Sequence, residues 1–234
     1  MKLIIVAGPP STGKTAIIRQ IISNLPKNSV AYLKIDVVYA TEDTEIAGEF
    51  GIPAKKVISG DLCPDHAGIM VLSDAFAWAE KEGADYLIVE SAGLCLRCTP
   101  YTTESLGIAV LSAISGTHSP YKMSPMIALA DVAVVTRIDL VSQAEKEVFR
   151  EAIRDVAPGV EIIETNAPIG TGLRYLMKII NDLAPVRDQA AVKLRGSPPL
   201  GVCTVCVGKK EIGWENHFGV VRRLDGAGTL FRGE

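Results

Sequence analysis

Eight residues, GPPSTGKT from Gly8 to Thr15, follow the apolar run LIIVA and precede AIIRQIIS, whose apolar residues recur at helical spacing. The stretch meets G-x-x-x-x-G-K-[ST] at every fixed position. It leaves few folds open, because such a loop acts where a strand hands the chain to a helix whose amino end faces a ligand. Gly8 and Gly13 let backbone N–H groups turn toward phosphate oxygens, and Ser11, Thr12 and Ala16 belong to the same cradle. Lys14 reaches the β and γ phosphates, the Thr15 hydroxyl ligates Mg²⁺, and the positive end of the helix adds to the field. A glycine-rich turn with an incidental lysine would not explain the agreement of the loop with both flanking elements.

Apolar runs rich in β-branched residues alternate with longer segments of helical period. Strands are expected at Leu3–Ala7, Val30–Ile35, Lys56–Ile58, Tyr86–Glu90, Ile108–Ser112, Val132–Thr136 and Glu161–Glu164. Helices are expected at Lys14–Asn24, Asp65–Glu82, Pro125–Ala130, Gln143–Val156 and Leu173–Ala184. The alternation predicts an α/β fold: a mostly parallel phosphate-loop NTPase sheet with helices on both faces. A chain of 234 residues that is 48% hydrophobic can bury one substantial core, assigned to residues 1–184. Residues 185–200, charged and carrying a proline pair, read as a linker or extended arm. Residues 201–234 form a short cysteine-containing C-terminal appendage, which must dock on the main domain, on a second subunit or around a metal. Trp214 and Phe218 are the aromatic surface expected to anchor it. A net charge of −3 argues against a nucleic-acid surface. The first apolar run stops at glycine and proline, too soon for a membrane span, so a cytoplasmic location is expected.

Two acids close predicted strands: Asp36 in YLKID and Glu90 in YLIVE. Open α/β sheets bind ligands at that edge, where either acid can hold magnesium through water or orient an attacking water. A solvated strand-end acid is the plainer reading of each, and for Asp36 it weighs nearly as much. VVTRIDL resembles the [NT]-K-x-D guanine motif, in which Asp139 would accept from guanine N1–H and the N2 amino group. Thr136 and Arg137 stand where asparagine and lysine are usual, and an arginine can lie over the base plane. In ETNAPIGTGL, Asn166 and Ala167 match the start of a loop that closes over the base.

None of the five cysteines is isolated: Cys95 pairs with Cys98, Cys203 with Cys206, and Cys63 has His66 three residues on. That pattern points to metal or redox chemistry more than to a disulfide framework. Cys203 and Cys206 read either as a structural zinc half-site, completed by Cys, His217 or a second chain, or as ligands that relay metal inward. His118 reads as a polar loop residue.

With GPPSTGKT, KIDVVYATEDTEIA, SGDLCPDHAGIM, IVESAGLCLRCTP, LSAISGTHSPYKMSP, VVTRIDLV and TNAPIGTGL in order, residues 1–184 resemble the nickel-insertion GTPases of the SIMIBI class, the HypB and UreG types. The resemblance implies a Mg·GTP-dependent homodimer with a transition-metal site at its interface. Hydrolysis would be coupled to delivery of the ion, Ni²⁺ or Zn²⁺, to an apo-metalloenzyme or accessory protein. It assigns Cys63 and His66 to the interface metal element, with Asp65 as an extra residue, and Cys98 with Thr99 and Pro100 to a cysteine–proline position. Cys95 and the tail cysteines have no counterpart in that pattern. Lys14, Asp36 and Glu90 would then serve a slow GTPase reaction. Two competitors stand beside this expectation: a nucleotide-gated iron–sulfur protein whose Cys95–Cys98 pairs bridge a [4Fe–4S] cluster across a dimer, and a small-molecule kinase with structural zinc in its tail.

Overall fold

Strands with apolar residues at both odd and even positions need cover on both sides, and in the computed structural model they have it. It describes residues 1–93, 99–166, 170–197, 209–226 and 228–233. In β1 (Lys2–Ala7), Ile4 and Val6 face α1 (Lys14–Ser23) through Ile17 and Ile21, while Leu3 and Ile5 join Val71, Ala75 and Phe76 of α3 (Pro64–Lys81). β2 (Val30–Asp36), β3 (Ala54–Ile58), β4 (Tyr86–Glu90), β5 (Ser105–Ser112), β6 (Val132–Thr136) and β7 (Glu161–Glu164) complete a seven-stranded parallel sheet ordered β3-β2-β4-β1-β5-β6-β7. The order puts β1 between β4 and β5 and β4 beside β2, so the carboxyl ends that carry Gly8, Asp36 and Glu90 open on one edge.

Most element ends lie within two residues of the sequence expectation, and two larger differences have a physical reason. β5 begins at Ser105, ahead of the expected Ile108, because Gly107 is not a break: a Cβ there would lie 2.8 Å from the ring of the fully buried Tyr101. Helix α2 (Glu42–Phe50) was not expected, since Ile46 is its one buried residue and gives no apolar period. It is held by acids in its first turn, which suit the positive end of a helix, and by Arg19, which pairs with Glu45 at 2.8 Å and Glu49 at 2.9 Å. α4 (Ser119–Lys122) and α5 (Ser124–Ala128) lead into β6, and α6 (Gln143–Val156) opens with a capping box between Ser142 and Glu145. α7 (Leu173–Asp182) packs Leu176 and Ile180 on the α1 side.

The chain beyond α7 lies against the domain. The Val186 N–H donates to Met1 O at 2.8 Å, Val192 is buried in the α3-side core, and the Arg195 guanidinium donates to Thr102 O, Leu129 O, Ser105 O and Asp131. Leu194 N–H then donates to Lys210 O at 2.8 Å. From there the segment crosses α3: Gly213 N–H donates to Ile69 O at 3.0 Å, and the hairpin β8 (Gly219–Arg222) and β9 (Thr229–Arg232) follows. Phe218, expected to anchor the tail, is 42% exposed under the Lys209 ammonium. Extended chain alternates sides, and His217 takes the inward position at 1% exposure. Trp214 lies partly buried with the guanidiniums of Arg223 and Arg232 near its ring. No helix among the described residues is long and apolar enough to cross a membrane.

Candidate functional site

The phosphate loop reaches α1 through Ser11 and Gly13, both at positive φ, +61° and +97°. It opens onto a cavity of ≈ 490 Å³, bounded by Gly13, Lys14 and Thr15 on one side and Lys34, Asp36 and Glu42 on the other. Lys14 folds back, its ammonium donating to Gly8 O at 2.9 Å and Pro9 O at 3.1 Å. Burial lowers its pKa; Glu90 opposes that shift and Lys34 reinforces it. Gly93 lies against the same loop at φ +72°, where a Cβ would collide with Gly8 O and lie 3.2 Å from Lys14 Nζ.

Glu90 is 1% exposed and its carboxylate collects three donors: Thr15 Oγ1 at 2.9 Å, Tyr32 OH at 2.7 Å and Lys34 Nζ at 2.8 Å. Lys34 is itself buried. Burial works against its charged form, but Glu90 and Glu42 outweigh it and hold the pKa above the ordinary lysine value. Burial and Glu90 push the Tyr32 phenol up, so it stays a donor. Burial tends to raise Glu42, but backbone N–H groups and Lys34 hold it below the usual carboxylate range. Sequence reading missed Tyr32, Lys34 and Glu42 as site residues. Strand alternation held the signal, since Tyr32, Lys34 and Asp36 share one face of β2 and Lys34 pairs in register with Glu90 of β4.

Asp36 lines the cavity, with Oδ1 accepting from Val37 N–H at 2.7 Å and Oδ2 lying 3.6 Å from Lys34 Nζ. The Thr15 hydroxyl with the carboxylates of Asp36 and Glu90 is a hard-oxygen set. Mg²⁺ needs only one or two carboxylates beside water and phosphate, so these residues fit it. On the other flank, Thr136 Oγ1 donates to Thr12 O at 2.7 Å, and the Arg137 guanidinium donates to Ser11 O at 2.6 Å and Ser112 Oγ at 3.0 Å. Both residues brace the phosphate loop from the end of β6. Asp139 stands exposed in the 3₁₀ turn Ile138–Leu140 that follows, and Asn166 lies beyond β7. Ala167 is outside the described residues.

Cys63 precedes α3, with Pro64 in the first turn. Ser91 Oγ, directly after Glu90, donates to Asp65 Oδ1 at 2.9 Å in a buried contact. His66, 6% exposed, turns inward and meets His217 edge-on, ring centroids 4.8 Å apart. The surface position an interface ligand would hold is covered here by the C-terminal segment that crosses α3. Burial, then His217, brings the His66 pKa down to about 4, and burial also lowers His217. Cys95, Cys98, Cys203 and Cys206 lie outside the described residues. Among the described residues, no three His, Cys, Asp or Glu side chains are grouped to hold a metal.

Comparison with known proteins bears on the family and the fold. The family model described as CobW/HypB/UreG, nucleotide-binding domain, matches residues 2–164. The uncharacterized protein MJ0120 of Methanocaldococcus jannaschii is 40% identical over 228 residues, 97% of each chain. The urease accessory protein UreG of Haloquadratum walsbyi is 29% identical over 192 residues, 75% of this chain and 92% of that one. The crystal structure of HypB from Helicobacter pylori in complex with nickel shares the fold, with a TM-score of 0.63 at 17% identity over 80% of this chain and 91% of that chain.

Proposed function

The chain belongs to the CobW/HypB/UreG nucleotide-binding family, and on that footing we propose that it is a Mg·GTP-hydrolysing metallochaperone. Its cargo is a transition-metal ion, nickel first, delivered to an apo-metalloenzyme or accessory protein. One observation carries the reading: the residues around the γ-phosphate position are mechanically joined to the Cys63–His66 element. Gly93 rests on Gly8 and Lys14, Glu90 holds Thr15, and Ser91, between them, bonds Asp65 at the start of α3. Rearrangement after β4 on loss of the γ-phosphate therefore pulls on the start of α3, where Cys63 and His66 lie.

In the reaction, Lys14 leaves the carbonyls of Gly8 and Pro9 for the phosphates, and Thr15 with Asp36 and Glu90 would hold Mg²⁺. When bound, the ion neutralises charge on the β and γ phosphates. Glu90 and Asp36 orient the attacking water, whose oxygen bonds to the γ-phosphorus as the bridging bond breaks. Asp139 selects guanine, with Asn166 and Ala167 closing over the base. Turnover is slow without a partner, because among the described residues the pocket's other cations are engaged: Lys34 with Glu90, Arg137 with Ser11 O and Ser112. Val38 and Tyr39, 81% and 74% exposed beyond Asp36, are an apolar surface that a homodimer would cover. Titration calorimetry of Ni²⁺ into the nucleotide-free, GDP and non-hydrolysable GTP forms tests the coupling. At least a fivefold spread in affinity, about 1 kcal/mol, is expected. Equal affinities in all three forms would reject it.

A further inference from the structure

The tail histidine lies where nothing in the nucleotide site requires it. His66 on α3 and His217 on the C-terminal segment come from widely separated parts of the sequence and are 6% and 1% exposed, with ring centroids 4.8 Å apart. His66 Nε2 and His217 Nδ1 are buried without a hydrogen-bond partner. Two orphaned ring nitrogens in one contact are unusual, since a buried polar atom left unpaired costs about 1–3 kcal/mol. The second nitrogen of His217 explains the arrangement. Its Nε2 lies 3.0 Å from Glu211 O, and a carbonyl only accepts, so Nε2 carries the proton and Nδ1 presents a lone pair. A ring N–H anchored on a backbone carbonyl, with the other nitrogen directed inward, is how proteins orient metal-binding imidazoles.

We propose that His66 and His217 form a two-nitrogen binding pair for a borderline divalent ion such as Zn²⁺ or Ni²⁺, with the C-terminal segment supplying its ligand in cis. Neutral imidazole suits these ions, and water or further donors take the other coordination positions. Gly213, whose N–H donates to Ile69 O, and the hairpin contact of Arg222 N–H with Met70 clamp the segment to α3 on either side of His217 and preset the pair. The proposal shares His66 with the nucleotide-coupled element and to that extent rests on the proposed function, but what it adds requires only the docked tail, so the two can fail separately.

The test uses the full chain, first without nucleotide and then with the non-hydrolysable GTP analogue. Zn²⁺ and Ni²⁺ affinities are measured by chelator competition for wild type, His66→Gln, His217→Gln and the double variant, with Phe218→Ala as a neighbouring control. Each single histidine variant should lose at least about tenfold in affinity, the double should lose little more than either single, and Phe218→Ala should match wild type. In ¹⁵N-histidine-labelled wild type, Zn²⁺ should shift the Nδ1 resonance of His217 and leave its protonated Nε2 in place. That spectrum decides the question even if a variant undocks the tail. Unchanged affinity in His217→Gln, or an unmoved Nδ1 resonance at saturating Zn²⁺, would overturn the pair. Binding that needs His217 but ignores the GTP analogue would remove the delivery mechanism and leave this site intact; nucleotide-dependent binding indifferent to His217 would do the reverse.

Discussion

Replacing Lys34 by Met removes the only cation in direct contact with the Glu90 carboxylate among the described residues, at a distance of 2.8 Å and with side-chain exposures of 5% and 1%. At an effective dielectric near 20 the attraction at that separation is about 6 kcal/mol, much of it offset by the cost of taking both charges out of water. Breaking such a pair from one side costs about 3–5 kcal/mol, because a buried charge stays behind. Tyr32 and Thr15 still donate to Glu90, which places the loss near the lower end, about 3 kcal/mol. For a chain of this size that is a fall of roughly 6–12 °C in Tm. The Lys34 pKa is raised above 10.5, so its stabilisation is fully present below that pH and is lost only as pH rises through the folded value. The deficit should therefore be constant from about pH 6 to 9. Urea unfolding of Lys34→Met, Glu90→Gln and the double variant measures it, and the double should be more stable than the sum of the single losses predicts, because no charge is stranded. A Lys34→Met loss below about 0.5 kcal/mol, or strict additivity in the double, would refute the argument.

Gly93→Ala should fold poorly or lose nucleotide binding by well over tenfold in fluorescent-nucleotide titration, since the new Cβ meets Gly8 O at a positive φ. Asp139→Ala should weaken GTP binding by about 10- to 100-fold, the value of a charge-assisted hydrogen-bond pair, and leave ATP affinity unchanged in the same titration. Equal losses for both nucleotides would remove Asp139 from base selection.

What the sequence could disclose follows from how local each signal is. The phosphate loop and the strands of the sheet are contiguous patterns, and the structure has them where those patterns lie. Helix α2 left no trace because its packing rests on Ile46 and on ion pairs with Arg19 of another helix. Lys34 reads as an ordinary strand lysine until the register sets it beside Glu90, a fact of strand order that no local window contains. The meeting of His66 with His217 is more remote still, since it depends on how the chain beyond α7 returns across α3. The motif residues Thr136 and Arg137 were legible as a motif but not in their observed contacts, which brace the phosphate loop.

That return path makes a final prediction about where the domain ends. In α3, Ala67, Ile69, Met70, Val71, Leu72, Ala75, Phe76, Trp78 and Ala79 are all buried, too many for one face, so the helix must be covered on its outer side as well. Residues 209–226 provide that cover and bury Ile212, Val221 and Leu224 in doing so. At about 1.5–3 kcal/mol for each such side chain, removing them forfeits roughly 5–9 kcal/mol, an upper figure but one comparable with the stability of a whole domain. A chain cut after residue 184 also loses Val192 and the Arg195 clamp on Thr102, Ser105, Leu129 and Asp131. The truncated protein should therefore bind a hydrophobic dye and aggregate or melt far below full length, although every nucleotide-motif residue is still present. A monodisperse product of unchanged Tm that retains GTP would show the C-terminal segment to be a separable appendage, and His217 would then owe its place to something other than the packing of α3.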